Sequence, residues 1–131
     1  MNAFLVDLAN KPGALADVAE ALGAKGINIE MVTGAACGDS GRVAIGTNDD
    51  AATRAALQAL GARFTEVEPV EVSLPHTPGS LGKAARRLAA AGINIDAITP
   101  IGMTGGEVTV AFLTNNAART REILSSAGSV A

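Results

Sequence analysis

The beginning of the chain alternates apolar and polar positions with the period of a β-strand and then changes to a helical pattern. The strand positions that would face a core are Phe4, Val6 and Leu8. The helical stripe is Leu15, Val18, Ala19 and Leu22. These two spacings place apolar side chains on one face of a strand and one face of a helix. We expect Pro12 to be the first helical residue, because its fixed φ suits a helix start, and Gly26 to end the helix in a left-handed conformation.

Two strands, a second helix and a fourth strand follow. The second strand has Ile27, Ile29 and Met31 at alternate positions, and a glycine-bearing turn at 38–41 separates it from a third strand over 43–45. The second helix has its apolar stripe at Thr53, Ala56, Leu57 and Leu60. A fourth strand is predicted over 63–67. The order βαββαβ is typical of the ferredoxin-like α+β fold, in which an antiparallel sheet carries both helices on one face.

The same pattern occurs twice along the chain. Pro12-Gly13-Ala14-Leu15 returns as Pro78-Gly79-Ser80-Leu81, and Gly26-Ile27-Asn28-Ile29 returns as Gly92-Ile93-Asn94-Ile95, both 66 positions later. Thr53-Arg54 returns 67 positions later as Thr120-Arg121. Segment 42–45 matches 107–110 at 65 positions, which predicts a shortened hairpin in the second copy, whose turn we place at 102–106. We therefore predict two βαββαβ domains, residues 1–68 and 69–131.

The second module is expected to lack most of its last strand. By the later spacing, Arg63 corresponds to Val130, and the sequence stops at Ala131. The sheet of this module would then have an unpaired edge, and such edges are usually covered or paired with another chain. We expect a homodimer or a larger homo-oligomer.

Composition and charge limit which classes of partner and which cellular location we expect. The 131 residues carry a net charge of -3 and include three Phe but no Trp or Tyr. Base stacking needs aromatic side chains and polyanions are attracted by positive charge, so we expect no nucleic-acid partner. Apolar runs are shorter than the ~20 residues of a membrane helix and no basic signal region precedes them, which predicts a cytoplasmic protein without a membrane partner. Cys37, the single cysteine, fits a reducing compartment as a free thiol.

We expect no metal, no cofactor and no catalytic residue. One Cys and one His are too few for a zinc site, and the spacing of an EF-hand is missing from the sequence. Gly-x-Ser-x-Gly, P-loop and paired-acid motifs are also missing. An acylphosphatase-type enzyme on this frame would need an Arg in the first loop, where the sequence has Lys11. The chain is therefore predicted not to be an enzyme.

The two loops that precede the Pro-Gly pairs are candidate sites for a carboxylate. Residues 10–13 and 76–79 lie ahead of predicted helix starts, where free N–H groups and the helix dipole attract an anion. The alternatives are that the Pro-Gly pairs only shape the helix start, that Asn10 and Thr77 are N-caps, and that His76 is a solvated loop residue.

The strand, the x-x-Pro-Gly-x-Leu motif, the helix and the Gly-Ile-Asn-Ile segment together resemble the ACT domain family. The resemblance covers nearly the whole chain in two copies and is to the tandem ACT pairs of aspartokinase regulatory regions. It implies a stand-alone allosteric regulatory module that binds a small ligand, most often an amino acid, at an interface between modules or subunits. The alternative is a non-catalytic dimerisation subunit that regulates a separate enzyme of amino-acid metabolism in trans.

The resemblance also implies which residues contact the ligand. In the family, backbone carbonyls and Asn or Asp side chains near the following strand bind the ammonium group. Carried over by position, and with the loop residues added, the predicted ligand-binding residues are Asn10, Lys11, Pro12, Gly13, Ala14, Asn28, Ile29, His76, Thr77, Pro78, Gly79, Ser80, Asn94 and Ile95. Glu30 and Asp96 lie beside them, and the alternative for Asn28 and Asn94 is a role as turn residues.

Overall fold

The structure, a computed structural model, describes residues 1–125 as two compact units. The first is Met1–Val67, and the second begins at Glu68. The elements of the first unit are β1 (Ala3–Ala9), α1 (Ala14–Ala24), β2 (Ile29–Cys37), β3 (Ser40–Thr47), α2 (Asp50–Ala59) and β4 (Phe64–Val67). Those of the second are β5 (Val70–Pro75), α3 (Ser80–Ala90), β6 (Ile95–Thr104), β7 (Glu107–Thr114) and α4 (Ala117–Ser125). The division into domains 1–68 and 69–131 stays a prediction.

The first unit has the predicted ferredoxin-like architecture. Its sheet has the order β2-β3-β1-β4, and every neighbouring pair is antiparallel. Alternate residues of β1 and β3 form one core with residues of both helices, so α1 and α2 cover the same face. This core consists of Phe4, Val6, Val18, Leu22, Ile27, Val43, Ile45, Ala56 and Leu57. The predicted α+β class with antiparallel sheets is confirmed.

The second unit repeats this arrangement with three strands among its described residues, in the order β5-β7-β6. Its core is Val70, Val72, Leu74, Ala84, Leu88, Ile93, Val110, Phe112 and Leu124. Strand β1 pairs with both β3 and β4, whereas its counterpart β5 pairs, within residues 1–125, with β7 alone. The predicted remnant of a last strand at Val130 lies outside the described residues.

The strand register corrects the predicted repeat spacing in the hairpins. Val6 pairs with Val43, and its counterpart Val72 pairs with Val110, so the third strands are 67 positions apart and the 65-position match is wrong. The turns occupy 38–39 and 105–106, because 40–41 and 102–104 already belong to strands. The second hairpin is not shortened. One extra residue, Ile101, lies in β6 at a bulge between Pro100 and Gly102.

The start of the second helix is stabilised in the same way in both units. The Asp49 carboxylate accepts a hydrogen bond from the Ala52 N–H at 2.9 Å, as the Asn116 side-chain oxygen does from the Arg119 N–H at 3.0 Å. Next to each cap, two buried threonine hydroxyl groups form a hydrogen bond. These pairs are Thr47 and Thr53 at 2.6 Å, and Thr114 and Thr120 at 2.7 Å.

An ion pair joins β4 to α2 in the first unit. The Arg54 guanidinium donates two hydrogen bonds of 2.7 Å to the Glu66 carboxylate, which also accepts one of 2.7 Å from the Asn2 side chain. The hydrogen bond from Arg54, followed by the one from Asn2, lowers the pKa of Glu66 to about 2. The charged carboxylate is therefore the form that the folded unit stabilises.

Candidate functional site

The Pro-Gly pair of each unit forms a tight turn before the helix. The Ala14 N–H donates a hydrogen bond of 3.3 Å to the Lys11 carbonyl, and Gly13 has φ 90° and ψ −14°. This is the geometry of a type II turn, which takes Pro at its second position and Gly at its third. The helix therefore begins at Ala14, and the prediction that Pro12 is the first helical residue is wrong.

The second unit has the same turn. The Ser80 N–H donates to the Thr77 carbonyl at 3.3 Å, and Gly79 has φ 88° and ψ −11°. Gly79 is the N-cap of α3, as Gly13 is of α1, and within the described chain no side chain accepts a capping hydrogen bond from the backbone N–H groups of either helix start. The alternative interpretation of Asn10 and Thr77 as N-caps is therefore wrong, and the glycine after proline is explained by the turn.

The loop before each turn is held against the tip of the neighbouring hairpin. The Asn10 backbone N–H donates to the Asp39 carbonyl at 2.9 Å, and its side-chain amide donates to the Gly38 carbonyl at 2.9 Å. The backbone N–H of His76 donates in the same way to the Gly106 carbonyl at 2.8 Å. These bonds fix the distance between the loop and the hairpin, which bound a groove in each unit.

The first groove lies between the loop, the start of α1 and the hairpin of β2 and β3. It encloses about 320 Å³. Three of the predicted site residues line it, namely Asn10, Lys11 and Ala14. The remaining lining residues are Leu8, Ala9, Leu15, Val32, Gly34, Ala35, Ala36, Gly41, Arg42 and Val43.

The second groove occupies the equivalent place in the second unit and encloses about 420 Å³. Here too, three predicted site residues line it, namely His76, Thr77 and Ser80. The remaining lining residues are Leu74, Pro75, Leu81, Ile98, Pro100, Met103, Val108 and Val110. Each corresponds by the repeat to a residue of the first groove, so the repeat preserves the cavity as well as the fold.

The other predicted site residues do not join these grooves. The backbone N–H of Asn28 donates to the Asn48 side-chain oxygen at 3.0 Å. In the second unit, the backbone N–H of Asn94 donates to the Asn115 side-chain oxygen at 3.2 Å. Ile29 and Ile95 are the first residues of β2 and β6, whereas the loops lie beside the far ends of these strands. Within each unit, a strand as long as β2 therefore lies between the asparagine and isoleucine at one end and the Pro-Gly loop at the other, a distance of about 25 Å. Glu30 and Asp96 lie at the same end as Asn28 and Asn94.

The apolar walls of the grooves were not predicted from the sequence. Leu15 belongs to the predicted apolar stripe of its helix, and Leu81 is its counterpart in the repeat, yet they are 49% and 51% exposed and line the grooves. Val32 and Met103 are also exposed and line the first and second groove, respectively. The signal that could have found them is the leucine at a fixed distance after each Pro-Gly pair, which the repeat keeps at a position the core does not use.

The opposite face of the first sheet carries a more polar depression. Asp7 and Arg42 form an ion pair of 3.0 Å there, beside Arg63 and the exposed thiol of Cys37. Among residues 1–125, no cluster of three or more His, Cys, Asp or Glu side chains could hold a metal ion. The helices of this same range include none long and apolar enough to cross a membrane.

Fold and cavities together define a tandem ferredoxin-like protein with one equivalent groove in each unit. The family model that matches the chain is that of the ACT domain, over residues 3–62. The match covers most of the first unit, and the resemblance drawn from the sequence motifs is confirmed. No curated protein matches the sequence significantly.

Solved structures share the fold over nearly the whole chain. Protein BT0572 from Bacteroides thetaiotaomicron is 25% identical with a TM-score of 0.74, over 95% of this chain and 86% of that one. The regulatory subunit of aspartate kinase from Thermus flavus is 22% identical with a TM-score of 0.68, over 97% of this chain and 92% of that one. The same subunit from Thermus thermophilus is 21% identical with a TM-score of 0.62, over 96% of this chain and 90% of that one. The chain has the fold of these regulatory subunits in both of its units.

Proposed function

We propose that the chain is a regulatory module that binds a free amino acid in the grooves beside its Pro-Gly turns. The observation that carries this proposal is the preservation of one cavity in both units, at the loops that the sequence predicts to bind the ligand. Volumes of about 320 and 420 Å³ lie within the range of small-molecule sites.

The groove chemistry fits the carboxylate and the side chain of an amino acid. The start of α1 or α3 offers the positive end of a helix dipole to the ligand's carboxylate, and its first N–H groups are not capped by side chains in the described chain. Lys11 adds a positive charge beside the first groove. The apolar residues further in, such as Leu15 and Leu81, would contact the ligand's side chain.

Some parts of the predicted function remain predictions. The contacts of Asn28, Ile29, Asn94 and Ile95 with a ligand, and the location of the site at an interface, belong to this group. So do the homo-oligomer, the non-enzymatic role, the cytoplasmic location and the enzyme regulated in trans. The proposal of amino-acid binding in the grooves does not depend on any of them.

Thermal unfolding in the presence of glycine and of each of the other nineteen standard amino acids in its L form tests the proposal. A ligand that binds only the folded state at a hundred times its Kd stabilises that state by about 2.7 kcal/mol, so an authentic ligand at millimolar concentration raises Tm. The D-enantiomer of each chiral hit is the matched control and should leave Tm unchanged. An external dye or circular dichroism must report unfolding, because the chain has no Trp or Tyr. A Tm unchanged by all twenty amino acids would contradict the proposal.

A further inference from the structure

The two grooves are equivalent in position but differ in charge. Lys11 lines the first groove, and Thr77 replaces it in the second. Arg42 also borders the first groove, but its guanidinium is paired with Asp7. Among the described residues that line the second groove, none is Asp, Glu, Lys or Arg. Its polar side chains are those of His76, Thr77 and Ser80, and the hydroxyl groups of the last two form a hydrogen bond of 2.9 Å with each other.

The walls of the second groove are also bulkier. Three small residues of the first groove, Gly34, Ala36 and Gly41, correspond to Pro100, Met103 and Val108 in the second. Each replacement adds apolar surface without adding a hydrogen-bonding side chain.

An inserted residue accompanies this change. Ile101, which has no counterpart in β2, lies in the β6 bulge between Pro100 and Gly102, two residues before Met103. Bulges re-aim side chains and are frequent next to functional sites. The side chain of Met103 is 65% exposed and lines the groove, so a ligand there would cover apolar surface that water now contacts. The bulge occurs at the groove where the apolar lining is larger.

We propose that the second groove selects an amino acid with a neutral aliphatic side chain, such as leucine, isoleucine or valine. The inference rests on the proposed function and names the ligand class of the same site. A charged side chain in this groove would lose hydration without gaining a charged partner, which is unfavourable. An aliphatic side chain would instead bury its surface against Leu81, Ile98 and Met103, while the carboxylate lies toward the turn at 77–80.

Isothermal titration calorimetry of the full chain with L-leucine, L-isoleucine, L-valine, L-lysine and L-aspartate tests the inference. We expect at least one aliphatic amino acid to bind about tenfold or more tightly than lysine and aspartate. Leu81→Ala should weaken this binding by about tenfold, since even one methylene in an apolar site changes affinity by that factor. Leu60→Ala is the control, because Leu60 is a similarly exposed leucine that lines neither groove, and it should leave Kd unchanged.

A second pair of variants guards against misfolding of Leu81→Ala. Met103→Ala introduces the alanine that the first groove has at the equivalent position, Ala36. Ile101→Ala alters an exposed neighbour that does not line the groove. The first should weaken aliphatic binding, and the second should not.

The outcomes separate the inference from the proposed function. Equal or tighter binding of lysine or aspartate, or equal weakening by Leu60→Ala and Leu81→Ala, overturns the inference and leaves amino-acid binding standing. Absence of heat with these five and with the rest of the twenty amino acids overturns both.

Discussion

At the scale of single residues, the turns before α1 and α3 depend on a backbone conformation that favours glycine. Gly13 and Gly79 have φ near +90°, where a Cβ atom is disfavoured, although a Cβ there would meet no atom within 4 Å. The requirement for glycine therefore comes from the local backbone conformation and not from a neighbouring residue. It also sets the position of the loop residues that line each groove.

Substitution of Gly13 or Gly79 by Ala should destabilise the fold by about 1–3 kcal/mol, the cost of a strained backbone conformation. Gly23→Ala is the matched control, because Gly23 is helical, has no atom within 4 Å of an added Cβ, and corresponds to Ala89 in the second unit. This control should stabilise the protein by about 0.5–1 kcal/mol. Urea unfolding measures both, and equal effects of Gly13→Ala and Gly23→Ala would contradict the turn assignment.

Glu66 should make stability depend on pH in the acid range. Its folded-state pKa of about 2 lies below the ordinary value of 4.5, so the unfolded chain binds more protons between these values. The stabilisation is fully present above about pH 5 and declines as the pH falls toward 2.

The free energy of unfolding of the native protein and of Glu66→Gln, measured by urea unfolding from pH 7 to pH 2.5, tests this. The difference between the two proteins should shrink as the pH falls through this window. A difference that is constant from pH 7 to pH 2.5 would show that the ion pair with Arg54 does not lower the pKa of Glu66.

At the scale of elements, the repeat preserves small polar features as well as strands and helices. The buried hydroxyl pair that joins the end of the third strand to the second helix occurs in both units. Thr53 and Thr120 each donate a further hydrogen bond of 2.8 Å to the backbone carbonyl of Asp49 and Asn116, respectively. Each threonine thus connects the helix start to the strand before it.

Thr53→Val and Thr120→Val should each destabilise the protein by about 1–3 kcal/mol, because both hydrogen bonds of the substituted hydroxyl are lost, the one to the partner threonine and the one to the backbone carbonyl. Thr65→Val, on the exposed side of β4, is the control and should change stability by less than about 0.5 kcal/mol. Thermal unfolding followed by circular dichroism provides the measurement. Equal effects at positions 53 and 65 would contradict a structural role for the pair.

The order of the elements could be predicted from the sequence because periodicity reports which face of a strand or helix is buried. The bulge at Ile101 could not, because matching residue types pairs 42–45 with 107–110, and the hydrogen-bond register alone shows the true correspondence. The groove walls were missed for a related reason. Leu15 continues the apolar stripe of α1, but the buried residues of this helix are Val18 and Leu22, so the core begins one turn after Leu15. The apolar stripe alone does not show this.

The loops of the candidate site could be predicted from the sequence, but the position of the other predicted residues relative to these loops could not. The Pro-Gly motif identified the loops that line both grooves, whereas the end of the sheet at which Asn28 and Asn94 lie depends on strand direction and pairing.

At the scale of the whole molecule, the two sheets differ in their edges. In the first unit β4 covers one side of β1, whereas in the described part of the second unit β5 is an edge strand. An exposed edge presents unpaired backbone groups that readily pair with another chain.

Size-exclusion chromatography with light scattering at micromolar concentration should therefore give at least twice the mass of one chain. The predicted assembly is a homodimer or larger homo-oligomer, and dilution provides the control for weak association. A stable monomer over the micromolar range would contradict this prediction.

Amino-acid binding in the grooves is tested by locating the ligand on the molecule, with two-dimensional ¹H–¹⁵N NMR of the labelled chain and the best-binding amino acid. We predict that the largest shift changes fall on the amides of 13–15 or 79–81, at the turns beside the grooves. Saturable binding that leaves both segments unchanged would contradict the account.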